Sequence, residues 1–545
     1  MKNGDFTKFF KKNLFVKITR KRDLMFKVNK YLVIGMLVMM ICCVTAVSAT
    51  DVNGTDDTVI TDELVVDEVS EVVEDVEIDD ASDSVVEEQN LRQPETGTVN
   101  GVNYSNYFNT SSGYTTTTND LTFSGNFNAK TFGNFKINES ITIDATDATF
   151  HNVGFDLLAS NITLIGGEFY ADASVVPHTT INVTGDYASV TDTVIDVYAP
   201  ENQDFIAIDV ANSNRTLIEN NVITYECAYP NLDNTNYVIR VKNSPNITIS
   251  LNEITSVLPF KNVDYWGGVR EGMDMDLVAA IGINGSDGFV LYYNFLYGYI
   301  ENSCEGFPTL DMVIICDSDK GFIRSNYIEE YDFYATNPNE PSYLYAIDVY
   351  RCDNLTIDYN ELNLYSEGGT YISGTNNGTG AAYGIQLTGG YNGVVIDHNT
   401  INTKNNGPNA GIYSQNFEGP TNLTITNNNI YVEGNASFHE WSLVTGMELQ
   451  DDYAYIANNT ITVNNKGGYV NGSNAYGISF SQYYLRVPTF EIFNNTIELI
   501  NGDYAIYTQI SNPGSYATFN NLTSTHYTGD NAAYHDGVIY INGNY

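Results

Sequence analysis

The sequence predicts an all-β protein built as a single parallel β-helix of about eleven regular coils behind an N-terminal cap region. Three observations predict it. An apolar-x-x-Asn-x-apolar unit recurs roughly every 30 residues, the mark of a stacked repeat. A second unit (small, aliphatic, any residue, apolar) interleaves with it. In the five coils from Ala207 to Asn360 the step from the second unit to the following Asn is 14, whereas the step back varies far more, so insertions fall mainly on one side of each repeat.

The first unit reads Ile218…Asn221…Ile223, then Ile249…Asn252…Ile254, Leu291…Asn294…Leu296, Ile323…Asn326…Ile328 and Ile357…Asn360…Leu362. It continues as Ile396…Asn399…Ile401, Ile425…Asn428…Ile430, Ile456…Asn459…Ile461 and Ile492…Asn495…Ile497. The second unit includes Ala207-Ile-Asp-Val210, Ala346-Ile-Asp-Val349, Gly384-Ile-Gln-Leu387, Gly446-Met-Glu-Leu449 and Gly477-Ile-Ser-Phe480, with a last copy expected at Gly537-Val-Ile-Tyr540. From Ala207 to Asn221, from Ala280 to Asn294 and from Ala346 to Asn360 is 14 positions each time.

Apolar and polar positions alternate within these units, which gives short strands with one buried face. No amphipathic helix is legible from residue 120 onward. Two or three such strands cannot bury their own face; stacked coils about 4.8 Å apart can. Parallel crossovers make the helix right-handed. Asn tolerates the left-handed region and is expected both to turn the chain and to bond to its equivalent in the next coil. A second polar column, Ser213, Ser244, Ser286, Ser318 and Cys352, is expected to stack in the same way.

Units such as Asn422-Leu-Thr-Ile-Thr-Asn-Asn-Asn-Ile430, together with the Asn/Tyr-rich acidic composition, resemble the right-handed parallel β-helix (pectin-lyase-like) superfamily. Within it the chain looks most like adhesin-like surface proteins of methanogenic archaea. The resemblance covers roughly residues 121–545 plus the leader. It implies a fold and not an activity, because the same repeat serves enzymes and binding proteins.

Residues 1–49 read as a secretory signal: ten basic residues in the first thirty, an uncharged apolar run from Tyr31 to Val47, then Val47-Ser-Ala49. Met25 would make a more compact start, and an uncleaved membrane anchor is the rival reading. Residues 50–97 are dominated by Asp, Glu and Val and read as a disordered acidic spacer. Residues 98–206 are expected to form the cap and first irregular coils, and 207–545 the regular ones. The final coil would present an unpaired edge, a docking point.

Beyond residue 49 there are 14 basic and 65 acidic residues, a net charge near −51. That excludes nucleic acid as a partner. It favours association with cations, calcium among them, though no cofactor is required. Cys227, Cys304, Cys316 and Cys352 remain after the leader, with no pairing fixed by their spacing.

The outward position of the second unit gives Asp209, Arg240, Gly282, Ile314, Asp348, Gln386, Tyr413, Glu448, Ser479, Tyr507 and Ile539. Asp348, Gln386, Tyr413, Glu448 and Tyr507 are the candidate binding residues. Asp348 and Glu448 are three coils apart, roughly 14 Å, too far for a glycosidase pair at about 5–9.5 Å. Against the enzymes of the superfamily, Ile396-Asp-His398 and Arg486-Val-Pro488 match parts of lyase motifs, which makes Asp397, His398 and Arg486 weak catalytic candidates. No metal-ligand spacing is present among the six His. Gly384, Gly411, Gly446 and Gly477 are expected to floor an outward groove walled by tyrosines. The sequence therefore points to an exported, cell-surface adhesin-like protein that binds a glycan or protein through its loops, without catalysis. A polysaccharide lyase or hydrolase is the alternative, and a structural rod of the envelope the second.

Overall fold

The computed structural model describes residues 96–173, 179–199, 205–227, 236–257, 260–262, 279–300, 307–332, 343–366, 381–405, 409–416, 421–435, 443–467, 474–480, 488–508, 511–535 and 539–545. All belong to one compact unit, Asn90–Tyr545. The expected leader, nearly all of the acidic spacer, Cys304, Arg486 and Gly537 lie outside the described residues.

The chain is a right-handed parallel β-helix. One coil shows the pattern. A long strand, Tyr343–Tyr350, is followed by a short one, Thr356–Asp358, and a third, Glu361–Ser366. The long strands of successive coils pair in a 15-stranded sheet, and the second and third strands share a 28-stranded one. The coil strands pair in parallel with their equivalents one coil on, as Ile347 with Ile385 and Ile357 with Ile396; the short strand Phe260–Asn262 instead pairs antiparallel with Phe307–Cys316. Among the described residues the only helical segments are short 3-10 turns at Tyr104–Asn106 and Gly529–Ala532. No helix there is long and apolar enough to cross a membrane.

The interior is a set of columns. Ile223, Ile254, Leu296, Ile328, Leu362, Ile401 and Ile430 form one, all fully buried or within 1% of it. At the N-terminal end phenylalanine replaces the aliphatics: Phe150 stacks on Phe169 at 4.7 Å and on Phe127 at 5.1 Å. Rings fill the irregular first coils with fewer residues, a large apolar payload per position.

The asparagines stack. Asn221 Nδ2 donates to Asn252 Oδ1 at 2.9 Å, Asn252 to Asn294 at 3.0 Å, and the series runs on through Asn326, Asn360, Asn399, Asn428, Asn459 and Asn495. The structure extends it by two members that spacing alone did not reveal, Asn520 and Asn544. Each Oδ1 also accepts the backbone N–H of the preceding ladder Asn, and each Nδ2 reaches a backbone carbonyl one coil back, as Asn428 to Ile396 at 2.9 Å. Three coils are thereby stitched by one side chain. At one end Thr193 Oγ1 donates to Asn221 Oδ1, and at the other Asp530 Oδ1 accepts from Asn544 Nδ2 at 2.8 Å.

The turn itself is not made by these asparagines. The left-handed residue is the one before each: Asn220, Leu251, Tyr293, Ser325, Tyr359, His398, Asn427, Asn458, Asn494 and Phe519, all with φ between 53° and 58°. The ladder holds the corner so firmly that leucine, tyrosine and phenylalanine accept a conformation that costs about 1–2 kcal/mol. The serine column stacks by backbone N–H donation to the next hydroxyl, as Ser244 to Ser286 Oγ at 2.9 Å, and ends on Cys352 Sγ, 3.4 Å from Ser318 N. Cys316 and Cys352 are free and buried, and burial raises both thiols.

Candidate functional site

The long strands carry chemistry on their outer side, and their register places it. Asp348, Gln386, Tyr413, Glu448, Ser479 and Tyr507 follow one another as direct partners in one column. The column ends on Tyr534, not Ile539. Ile539 pairs with Ser515 in the other sheet, because the last long strand is Ala533–His535 and Ile539–Asn542 is a second-strand segment.

A second outward column was not read from the sequence. Ala279, Asp311, Tyr345, Tyr383, Ala410, Thr445, Tyr476 and Tyr504 are also direct partners in turn. The reason is a break in alternation. The pairing steps from Asp311↔Tyr345 to Val313↔Ile347, skipping Met312 and Ala346. Two consecutive residues there face inward, as in a bulge, and the outward residue before them escapes a period-two reading. Tyrosine at one offset in four of these strands was the available signal.

The same break corrects the glycine column. Gly384, Gly411, Gly446 and Gly477 face the interior and floor no outward groove. A Cβ at Gly411 would lie 2.4 Å from Ile430 Cγ2 and 2.8 Å from the Gly446 carbonyl oxygen. Glycine is required there because the third-strand isoleucines fill the space a side chain would take.

The outer face is graded in exposure. Ile314, Asp348, Gln386 and Ser479 are buried, at 0%, 3%, 1% and 3%. Tyr383, Tyr413, Glu448, Tyr476 and Tyr507 are half-buried. Rings follow one another along the axis: Tyr383 and Tyr413 at 5.0 Å, Tyr476 and Tyr507 at 4.3 Å, Tyr507 and Tyr534 at 5.2 Å. Amides lie between them, with Gln386 Nε2 donating to Asp348 Oδ1 at 3.2 Å and Tyr413 Oη to Gln415 Oε1 at 2.9 Å. Burial pushes the Asp348 carboxyl up to about 7 against the pull of Gln386, and pushes Glu448 up to about 7 as well. Asp451, just beyond this face, is a buried structural acid held by Tyr391 and Ser414; burial still raises it to about 6.

Asp397 and His398 lie elsewhere, at the corner between second and third strands. Asp397 Oδ2 is 2.6 Å from His398 Nδ1, while Oδ1 accepts from Thr426 and Asn427. Burial alone would raise Asp397, but these hydrogen bonds outweigh it and hold the carboxyl below its ordinary value. His398 stacks on Tyr359 at 4.8 Å. Neither faces the candidate site. Asp209 and Arg240 form a bidentate ion pair, with Nε and one terminal nitrogen 2.9 and 2.7 Å from the two carboxyl oxygens. Among the described residues no group of three or more His, Cys, Asp or Glu is placed to hold a metal ion.

No protein-family model matches the chain, and no curated protein matches its sequence. Solved structures do. The crystal structure of the Dettilon tailspike protein (gp208) is similar at 15% identity with a TM-score of 0.41, over 78% of this chain and 62% of that one. This chain therefore spans less than two thirds of the tailspike chain. PfbA, a surface adhesin of Streptococcus pneumoniae, is similar at 11% identity and a TM-score of 0.32, covering 72% and 85%. The catalytic domain of a GH87 α-1,3-glucanase in complex with tetrasaccharides is similar at 12% identity and 0.31, covering 77% and 63%.

Proposed function

We propose that the protein is an exported, surface-associated rod that binds a carbohydrate chain on the outer face of its long strands, without catalysis. One observation carries this: two adjacent columns set tyrosines, half-buried from Tyr383 to Tyr507 and exposed at Tyr534, beside amides and the Glu448 carboxyl in successive coils, the Glu448 coil alone lacking a ring. Phenol rings cover the apolar faces of sugars, and side-chain amides and carboxyls bond their hydroxyls. A net charge of −43 repels uronate and sulfated polymers, so neutral or amino glycans are the expected class. The partner is thus a cell-surface glycan, and the export signal in residues 1–49 is consistent with meeting it outside the cell.

The test is a glycan array followed by titration calorimetry on the best neutral polymer. Tyr413→Ala and Tyr507→Ala should each weaken binding roughly tenfold, the loss of about 1.4 kcal/mol of ring contact. Absence of binding to neutral, amino and acidic glycans alike would refute the reading and leave the structural rod.

A hydrolase is the second reading, with the half-buried Glu448 as its single candidate acid, since Asp348 lies three coils away and is buried. Burial raises Glu448 to about 7, where a carboxyl can hold a catalytic proton at neutral pH. Release of reducing ends that Glu448→Gln abolishes would support it.

A further inference from the structure

Three buried carboxyl groups gather where the third strand of one coil gives way to the first strand of the next: Asp311 and Asp348 on long strands paired side by side, Glu330 on the third strand that joins them in sequence. Asp311, 5% exposed, is in the strand Phe307–Cys316. Glu330 is wholly buried on the inner side of Tyr327–Asp332, and Asp348, 3% exposed, is in the following long strand. Asp311 Oδ1 and both Glu330 carboxyl oxygens have no hydrogen-bond partner, and Asp348 takes one side-chain donor, Gln386. The charge on Asp348 acts on Asp311, and that on Asp311 acts on Glu330.

Among the described residues no cation forms an ion pair with any of the three; the basic residue on a paired strand is Lys261, in register with Pro308, three residues from Asp311. From the strand Tyr343–Tyr350 come Tyr345 and Asp348, from Ala381–Gly389 come Gln386 and Tyr383, and Asp311's own strand adds the Cys316 thiol. On the preceding long strand the residue in register with Asp311 is Ala279. The preceding third strand places Gly298 beside Glu330. Asp332, two residues beyond Glu330, accepts from Ser366 Oγ at 3.1 Å. A carboxylate in such a site has lost its water and gained neither donor nor counter-charge, so it is stable there only as the neutral acid. Burial accordingly raises Asp311 and Glu330 well above the ordinary carboxyl range.

We propose that this corner is a pH-operated latch: the coils at 307–350 are closed while the three carboxyls hold their protons, and open locally as rising pH draws those protons into solvent. The inference stands on burial and missing partners, independently of any ligand. Opening would loosen the strands Phe307–Cys316 and Tyr343–Tyr350 and leave distant coils intact.

Hydrogen exchange on the full chain from pH 5 to 8, corrected for base catalysis, tests it. Each proton lost on opening multiplies the open population about tenfold per pH unit. Release of two or more predicts that peptides within 307–332 and 343–350 lose protection roughly hundredfold per unit between about pH 5 and 7. The strand Thr142–His151, whose two carboxyl side chains are not buried, should change little. Glu330→Gln keeps the side-chain volume and removes one proton, so the slope should fall about tenfold per unit; Asp311→Asn should do the same. A flat profile in the wild-type chain overturns the proposal without any variant. So does a Gln variant with an unchanged slope, or protection at pH 8 that depends on added calcium and not on protons.

Discussion

Asn428→Ala removes a side chain that is 1% exposed and engaged in five hydrogen bonds. Its Oδ1 accepts from Asn399 N and Nδ2 at 2.9 and 3.0 Å. Its Nδ2 serves Asn459 Oδ1, Ile396 O and Thr426 O at 3.0, 2.9 and 2.8 Å, so two hydrogens are shared among three acceptors. Alanine offers none of these. Asn399 loses the acceptor for two donors and Ile396 the donor to its carbonyl, in an interior closed to water. Each orphaned buried group costs about 1–3 kcal/mol, and with partial relaxation the sum is about 3–5 kcal/mol. For a cooperative unit of several hundred residues the unfolding entropy is roughly 1 kcal/mol/K, so the melting temperature should fall by about 4 °C. Circular dichroism at the β band during a thermal scan reads it, against Asn429→Ala, an exposed neighbour outside the ladder, as control. If the two variants melt within about 1 °C of each other, the ladder is ornament and the isoleucine columns alone hold the coils.

Three further outcomes follow from the geometry. Leu251→Asn replaces a left-handed, 45%-exposed leucine with the residue that best tolerates φ 57°, and should stabilise by about 0.5–1 kcal/mol in denaturant titration. Gly411→Ala drives a Cβ against Ile430 and the Gly446 carbonyl and should destabilise by about 1–3 kcal/mol in the same titration. Glu448 binds its proton more tightly folded than unfolded, so its contribution is present below about pH 4.5 and is lost as pH rises through about 7. Glu448→Gln should therefore match wild type near pH 4 and exceed it at pH 8 by denaturant midpoint.

What the sequence yielded and what it withheld divide along one physical line. Asn stands three residues after one aliphatic residue and two before the next in every copy from Asn221 to Asn495, because its hydrogen bonds fix the corner between the second and third strands, and that rigidity is visible as local spacing. The outward columns obey a looser rule. At Met312 and Ala346 two successive residues turn inward, so alternation carried past that point gives Asp348 correctly but misses Asp311 and reverses Gly384. Ile539 was misplaced for a related reason: the last long strand, Ala533–His535, lacks the small-aliphatic signature, and a look-alike four residues on took its place. Glu330 was invisible for a third: an acid at an apolar position of a strand gives no sign, in one sequence, of being swallowed whole.

The asparagine ladder has an electrical consequence. Eleven carboxamides, Asn221 to Asn544, point the same way, each N–H toward the next coil's oxygen. A carboxamide is a dipole much like a peptide unit's, about 3.5 D. Aligned head to tail, these give the stacked β-coils the polarity of an α-helix, with its positive pole at Asn544. The carboxylate of Asp530 sits on that pole, as an acid does at the start of an α-helix, and the hydroxyl of Thr193 donates to the opposite one.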